Sequence, residues 1–401
     1  MSTTRRGTVL DLRRGNRSAL LRALYFDART SRQELGAATG LSAASVSNVV
    51  SELIDVGLVV EAGIVNSDGG RPRTLIEINR DYGRVIGIDL GETRVRAELF
   101  DLTLGEALAT IDSPLASGQH EVDVVLRIMV SSLRELLAIA DESGTRVIGV
   151  GISVPGIVEQ GDVVLVHGQT FAWDSVPLVE LIEQAGITAP IFIDNGASNL
   201  GQAESWFGAG RGSRHAIVAL VGSGVGASII TDGALYRGAT SSAGEWGHTP
   251  VAVGGRQCRC GAKGCLEAYI GGEGVLARYR EANPRRKVGT GSEESELAAL
   301  VAKSKSDPAA RAILDETALY MGAGIAGLIN LFNPERIIIG GWAGILLGVE
   351  LLDEIRAAAK AHALHEAFAQ TSIELCMLGD DAVARGAATL PIERLLSGEL
   401  S

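Results

Sequence analysis

Gly244 to Glu267 reads GEWGHTPVAVGGRQCRCGAKGCLE, and the rest of the chain is best understood outward from it. Cys258, Cys260 and Cys265 are three of only four cysteines in the chain, and His248 lies shortly upstream across a glycine-rich turn that can fold it back onto them. Three thiolates and one imidazole form a closed Cys₃His set of the kind that holds structural zinc. A disulfide is the alternative. It requires an oxidising compartment, and the N-terminus MSTTRRGTVLDLRRGN lacks the apolar centre of a secretory signal, so a reduced, metal-bound cluster in the cytoplasm is expected. Glu245 and Glu267 bracket the ligands. A carboxylate that does not bind the metal can accept hydrogen bonds from hydroxyls there, although either acid alone would read as a solvated surface group.

As a block, G-E-x-G-H followed by C-x-C-G-x-x-G-C-x-E resembles the signature of the ROK (repressor, ORF, kinase) family. That family contains sugar kinases and sugar-responsive repressors, with xylose, N-acetylglucosamine and glucose among the effectors. The resemblance implies that Glu245, His248 and Glu267 contact a sugar, with one ring nitrogen of His248 on zinc and the other on a sugar hydroxyl. Zinc would then fix the ring's tautomer and orientation.

A chain of 401 residues is long enough for two or three domains, and no apolar run is read as a bilayer span. The net charge of −12 is unevenly spread: Met1 to Arg80 holds eleven Arg and eight acids, leaving that part at +3 and the remainder at −15. A basic module on an acidic body confines DNA binding to one end. Few aromatics argue against stacking platforms for single strands.

Within the basic part, Leu20, Leu21 and Leu24 mark a helix between Arg17 and Phe26. Ser31-Arg32-Gln33-Glu34 is a capping box for a second helix, which Gly40 ends. Ser42 caps a third, burying Val46, Val49, Val50, Leu53 and Ile54 and leaving Ser45, Ser47, Asn48 and Ser51 outside. Two strands follow, Leu58 to Val60 and Thr74 to Ile78, joined by a loop containing Gly69-Gly70-Arg71-Pro72-Arg73. This is the plan of a winged helix-turn-helix over residues 1–80. Ser42, Ser45, Ser47, Asn48 and Ser51 would face the major groove, and Arg71 and Arg73 at the wing tip would reach phosphate or a narrow minor groove. A protein-interaction module of the same three helices is the alternative. The G-R-P wing also resembles that of ROK repressors.

After Asp81 to Gly83 the composition changes. Val85 to Leu90 runs as a strand into a tight turn at Gly91 and returns over Val95 to Phe100; Ala216 to Val221, Gly222-Ser223-Gly224-Val225-Gly226 and Ala227 to Ile230 repeat the pattern. An amphipathic helix from Val122 to Leu137 and a strand from Val147 to Val154 lie between the two hairpins. Later come a surface loop at Gly289 to Ser292, a small-residue helix from Thr317 to Leu331 and a strand at Ile337 to Ile339. The expected fold is α/β: the winged module plus a two-lobed actin-like (ribonuclease H-like) sugar-kinase fold with a zinc site. The first lobe would span 81–194, completed by a final helix in 381–401 that the family resemblance returns to it, and the second would span 195–380 with the sugar pocket.

In ROK kinases an Asp directly after an Asn takes the proton from the sugar hydroxyl. Aligned through Asn195 and Glu204, that position is Gly196, and loss of a positioned base costs about 10²- to 10⁴-fold in rate. The first phosphate turn of the kinases, D-x-G-G-T, is Asp89-Leu90-Gly91-Glu92-Thr93, which sets a carboxylate where phosphates would sit; the adenosine-side glycines are Gly340-Gly341-Trp342. By the same resemblance the sugar side, with Asn195, Glu245, His248 and Glu267, is kept. Thr170, Phe171 and Trp173 stand where an Asn-Leu pair is common, leaving glucose, xylose, an amino sugar or an oligosaccharide open. The reading is a non-enzymatic, sugar-responsive repressor, a zinc-bearing homodimer on double-stranded, pseudo-palindromic operator DNA; a sugar kinase with an accessory DNA-binding domain is the alternative.

Overall fold

The computed structural model describes residues 9–65, 72–115, 118–168, 170–285 and 291–400. Arg71 and the first part of the 289–292 loop lie outside them.

The chain opens with α1 (Val9–Asp27), a two-residue strand β1 (Thr30–Ser31), α2 (Arg32–Thr39) and α3 (Ala43–Asp55), then β2 (Val59–Val65) and β3 (Arg73–Ile78). The capping box forms as its sequence dictates: Ser31 Oγ accepts from the Glu34 N–H, and the Glu34 carboxylate accepts from the Ser31 N–H at 2.8 Å. Gly40 closes α2 in the left-handed region, and Ser42 caps α3, whose Val46, Val49, Val50 and Leu53 are buried. Helix α1 begins well before Arg17. Its added turns are held by polar contacts, Arg13 to Glu52 at 2.8 Å and Arg14 to the carbonyls of Ser397 and Gly398, which apolar periodicity does not register. Strand β3 pairs with both β1 and β2.

The first large sheet contains β4 (Arg84–Leu90), β5 (Arg94–Asp101), β6 (Ala109–Pro114), β7 (Val147–Val154) and, beyond a small side sheet of β8 (Ile157–Glu159), β9 (Leu165–Gly168) and β10 (Trp173–Val176), β11 (Ile191–Asn195). Its order is β11-β7-β4-β5-β6. The second contains β12 (Ala216–Val221), β13 (Val225–Thr231), β14 (Ala234–Leu235), β15 (Arg336–Gly340) and β16 (Ser372–Leu375), in the order β14-β13-β12-β15-β16. Both have an antiparallel three-strand edge joined to two parallel strands, so the glycine-turn hairpins β4–β5 and β12–β13 occupy equivalent places in a repeated unit.

Alternation along the strands sets the layers. Ile86, Ile88 and Leu90 face α4 (Val122–Glu142), and α5 (Leu178–Gln184) packs beside it. The other face carries Gly87 and Gly151, and the last helix, α13 (Ala382–Leu396), comes so close that a Cβ on either glycine would stand 2.0 or 1.8 Å from a carbonyl oxygen of that helix. Helix α6 (Gly196–Phe207) packs on α13 from the side of the second sheet. The opposite face of that sheet is covered by α7 (Glu267–Ile270), α8 (Gly272–Ala282), α9 (Glu293–Ser304), α10 (Pro308–Phe332), α11 (Trp342–His362) and α12 (His365–Ala369). Helix α10 starts before Thr317 because Asp307 caps it and Pro308 fits its first turn. By length and composition alone it is apolar enough to cross a membrane, contrary to the sequence reading; most of it is buried, its apolar residues packed against α8, α9 and α11.

The N-terminal module is not suspended on a linker. Leu20, Leu24, Val50 and Ile76 share one apolar cluster with Phe100, Trp206, Ile392 and Leu396 of the body. Tyr25 and Phe26 meet Trp206 edge-on at ring separations of 5.6 and 5.1 Å.

Candidate functional site

The segment after β14 is folded by backbone constraints before any metal is considered. The carbonyl of Gly244, which has φ +96°, accepts the Ala227 N–H, and the Trp246 indole donates to the buried Gly324 carbonyl. Bridges between Pro250 and Cys265 and between Gln257 and Lys263 close a knuckle, tightened by the Cys258 N–H on the Ala262 carbonyl at 2.9 Å. The knuckle brings His248, Cys258, Cys260 and Cys265 together, with all four ligand atoms within 4.8 Å of one another. Cys260 Sγ lies 3.7 Å from Cys265 Sγ, and Cys258 Sγ lies 3.8 Å from His248 Nδ1. A tetrahedral zinc with bonds of about 2.3 Å to sulfur separates its ligands by roughly 3.7 Å, so the set fits that ion. Burial pushes the Cys258 thiol up to about 12, and a thiolate there needs a cation beside it.

With Nδ1 on the cysteine side, His248 Nε2 points toward Glu245 Oε2 at 3.9 Å. Burial holds the Glu245 carboxyl above its usual range, opposed by His248 and reinforced by Glu267. Glu267 opens α7 and is 7 % exposed; its Oε2 accepts the Val225 N–H at 3.0 Å. Asn195 ends β11 and caps α6, its Oδ1 accepting the Ser198 N–H at 2.7 Å. Asp194 accepts from its neighbour's N–H and from Arg237, so its carboxylate is already engaged. At Gly196 a Cβ would meet nothing closer than Ser153 Oγ at 3.5 Å, so packing does not require glycine there.

Glu267 is also joined to the first glycine turn. Arg259, between two of the cysteines, donates from Nε to Glu267 Oε1 at 2.9 Å and from Nη1 and Nη2 to both oxygens of Glu92 at 2.9 and 3.0 Å. Its guanidinium lies over Gly224 of the second glycine turn, 2.8 Å from where a Cβ would stand. Trp342 packs its indole against Gly222 and Gly272, and the Ser223 hydroxyl donates to Glu293 at 2.8 Å. Burial raises the Glu293 carboxyl, and Glu92 adds to that effect.

Sequence reasoning named Glu92 and Trp342 but missed Arg259 and Glu293. The one available signal was an arginine held between two cysteines of the candidate metal cluster. On the N-terminal module, Ser42, Ser47, Asn48 and Ser51 are exposed, while Ser45 is half-buried and shares a 3.0 Å hydroxyl contact with Ser42. Arg73 opens β3 opposite Val65 and lies 3.8 Å from Glu34.

Residues 85–394 match the model of the ROK family. The chain is 31 % identical over 397 residues to a xylose repressor of Caldicellulosiruptor bescii, covering 96 % of this chain and 97 % of that protein. It is 30 % identical over 319 residues to a glucokinase of Halalkalibacterium halodurans, covering 76 % of this chain and 94 % of the kinase. A crystal structure of a ROK family transcriptional regulator, a homolog of the E. coli MLC protein, superposes with a TM-score of 0.78 at 24 % identity over 96 % of this chain and 97 % of that one. At that identity the likeness concerns the fold. The repressor alignment takes in the chain nearly end to end where the kinase alignment takes in about three quarters, and this chain belongs to the ROK family.

Proposed function

We propose that this protein is a sugar-responsive transcriptional repressor. The observation that carries the reading is the unequal state of the cleft. Glu245, His248 and Glu267 converge on one side, whereas Arg259, Glu92 and Trp342 occupy the side where a kinase would hold nucleotide phosphates. With glycine at the base position as well, the chain is suited to binding a sugar and not to phosphorylating it.

Residues 1–80 act as a winged helix-turn-helix, with α3 in the major groove of operator DNA and Ser47, Asn48 and Ser51 on its outer face; Arg73, together with Arg71, serves the phosphates. The protein works as a homodimer on paired half-sites. His248, Cys258, Cys260 and Cys265 hold zinc, which acts structurally by pinning the knuckle that carries His248 and Arg259. The effector is a neutral sugar, with xylose first in order because of the repressor relative. It binds between Asn195, Glu245, His248 and Glu267.

Helix α6 supplies a route from that pocket to DNA. It is capped by Asn195, runs 12 residues, or about 18 Å, and in its last turn sets Trp206 against Tyr25 and Phe26 of α1. A sugar that binds one cleft geometry better than another would shift α6 and the modules attached to it, and couplings of this kind are about 1–3 kcal/mol. Operator DNA upstream of the protein's own gene should be footprinted by the zinc-loaded protein and released as xylose is added. Absence of a footprint would contradict the repressor reading, and ADP formation at ordinary kinase rates with any sugar would favour the kinase.

A further inference from the structure

Glu92 and Glu267 come from opposite lobes, yet one guanidinium joins them. All three nitrogens of Arg259 are used: Nε on Glu267, and both terminal nitrogens on Glu92 in a two-point pair. The contacts are partly shielded, with side-chain exposures of 17 % for Glu92, 25 % for Arg259 and 7 % for Glu267. Arg259 has little freedom at its base, because its neighbours on both sides are metal-ligand cysteines. Glu267 in turn has both oxygens committed: Oε1 accepts from Arg259 Nε and lies 3.6 Å from Cys258 Sγ, while Oε2 lies 3.5 Å from Arg259 Nη2 and accepts the Val225 N–H. The last bond ties it to the β12–β13 turn. Removing Glu92 leaves Nη1 without its partner and Nη2 with only its 3.5 Å contact to Glu267 Oε2, so the guanidinium is free to swing and to pull Glu267 off the Val225 N–H.

We propose that Glu92 is a positioning residue for the sugar site, acting from the opposite lobe: through Arg259 it orients Glu267, so that this carboxylate is aligned for sugar only when the cleft is closed. The inference rests on the sugar-binding reading above. It gives the departure from the kinase glycine turn a positive role, since an acid that repels phosphate there also reports closure to the pocket. Sugar and closure then favour each other by linkage, because each is better satisfied in the presence of the other.

The test uses full-length zinc-loaded protein, wild type and Glu92→Gln, with xylose and glucose as probes in titration calorimetry. Hydrogen exchange of the peptide containing Val225 is followed without sugar. The expected results are about tenfold weaker binding of whichever sugar the wild type takes, within the range that coupled sites carry, faster exchange at Val225 and equal zinc content. Glu92→Asp, which keeps the charge, should recover part of the affinity. Equal affinity in wild type and Glu92→Gln overturns the inference while leaving the sugar site intact. Weaker binding with unchanged Val225 exchange overturns the positioning role, because Glu92 would then act on closure alone. A wild type that binds neither sugar overturns the sugar reading and this inference with it, whereas a wild type that binds while Glu92→Gln does not, with faster exchange at Val225 in the variant, supports both.

Discussion

The two large sheets follow one plan, yet the side chains gathered where their glycine turns face each other differ sharply. Each large sheet presents a glycine-turn hairpin, β4–β5 from the first and β12–β13 from the second, and the sheets share one strand order. On the side proposed for sugar, backbone anchors at Gly244 and Trp246 bring His248 and Glu245 together. On the other, Arg259 pairs with Glu92 over Gly224, Glu293 accepts from Ser223, and Trp342 packs against Gly222 and Gly272. The fold is indifferent to this choice. Function follows the few side chains set on the frame, which is why a kinase and a repressor can share it.

The largest effect on the comparison should come from removing the metal. Cys260→Ser leaves three ligands, and structural zinc sites in small peptides contribute about 10–16 kcal/mol of apparent binding. The knuckle should lose its ion and loosen both groups together, because His248 turns toward Glu245 and Arg259 toward Glu92. Metal analysis and the sugar response check this, and full zinc with a normal response would contradict it.

A smaller effect is expected at the far end of α6. Trp206→Ala removes a buried aromatic from the cluster shared with Tyr25 and Phe26, at a cost of about 3–5 kcal/mol in stability. Sugar affinity should survive while operator release by sugar weakens. Denaturant unfolding with parallel DNA titrations separates the two, and intact coupling would rule out the α6 route.

The smallest shift concerns Asp89, at the end of β4 beside the first glycine turn. Burial pushes its carboxyl up to about 6, against the pull of Arg94 and Arg96. The folded pKa is raised, so the fold disfavours the charged form, and stability is lost as pH rises from about 4 to about 6. Asp89→Asn should therefore stabilise the protein at pH 7, by up to about 3 kcal/mol, and change nothing near pH 3. Thermal unfolding at the two pH values measures it. Destabilisation at pH 7 would mean that the charge still has a favourable partner in the cleft.

Local signals made much of this architecture legible. The capping box at Ser31, the cap at Ser42 and the spacing from Val46 to Leu53 are interactions between near neighbours, and the structure contains them. The four cluster residues were equally readable, because they lie within one short segment. What escaped has three causes. The first turns of α1 are held by distant partners, Glu52 and the C-terminal carbonyls; the Asp-Pro cap that starts α10 is local but polar, so apolar periodicity does not register it; and the short strands β8 to β10 carry too few residues for a pattern. Glu92 was recognised as hostile to phosphate. Its partner Arg259, 167 residues away, was not, since nothing along the chain links them.

The most direct test of the account is thermal unfolding of zinc-loaded protein with a panel of mono- and oligosaccharides and, separately, with Mg-ATP, because a ligand that binds the native state raises the midpoint. The account predicts a rise with one class of sugar and none with Mg-ATP. A rise with Mg-ATP would show that Glu92, Arg259 and Trp342 leave the phosphate side open, and would contradict the division of the cleft.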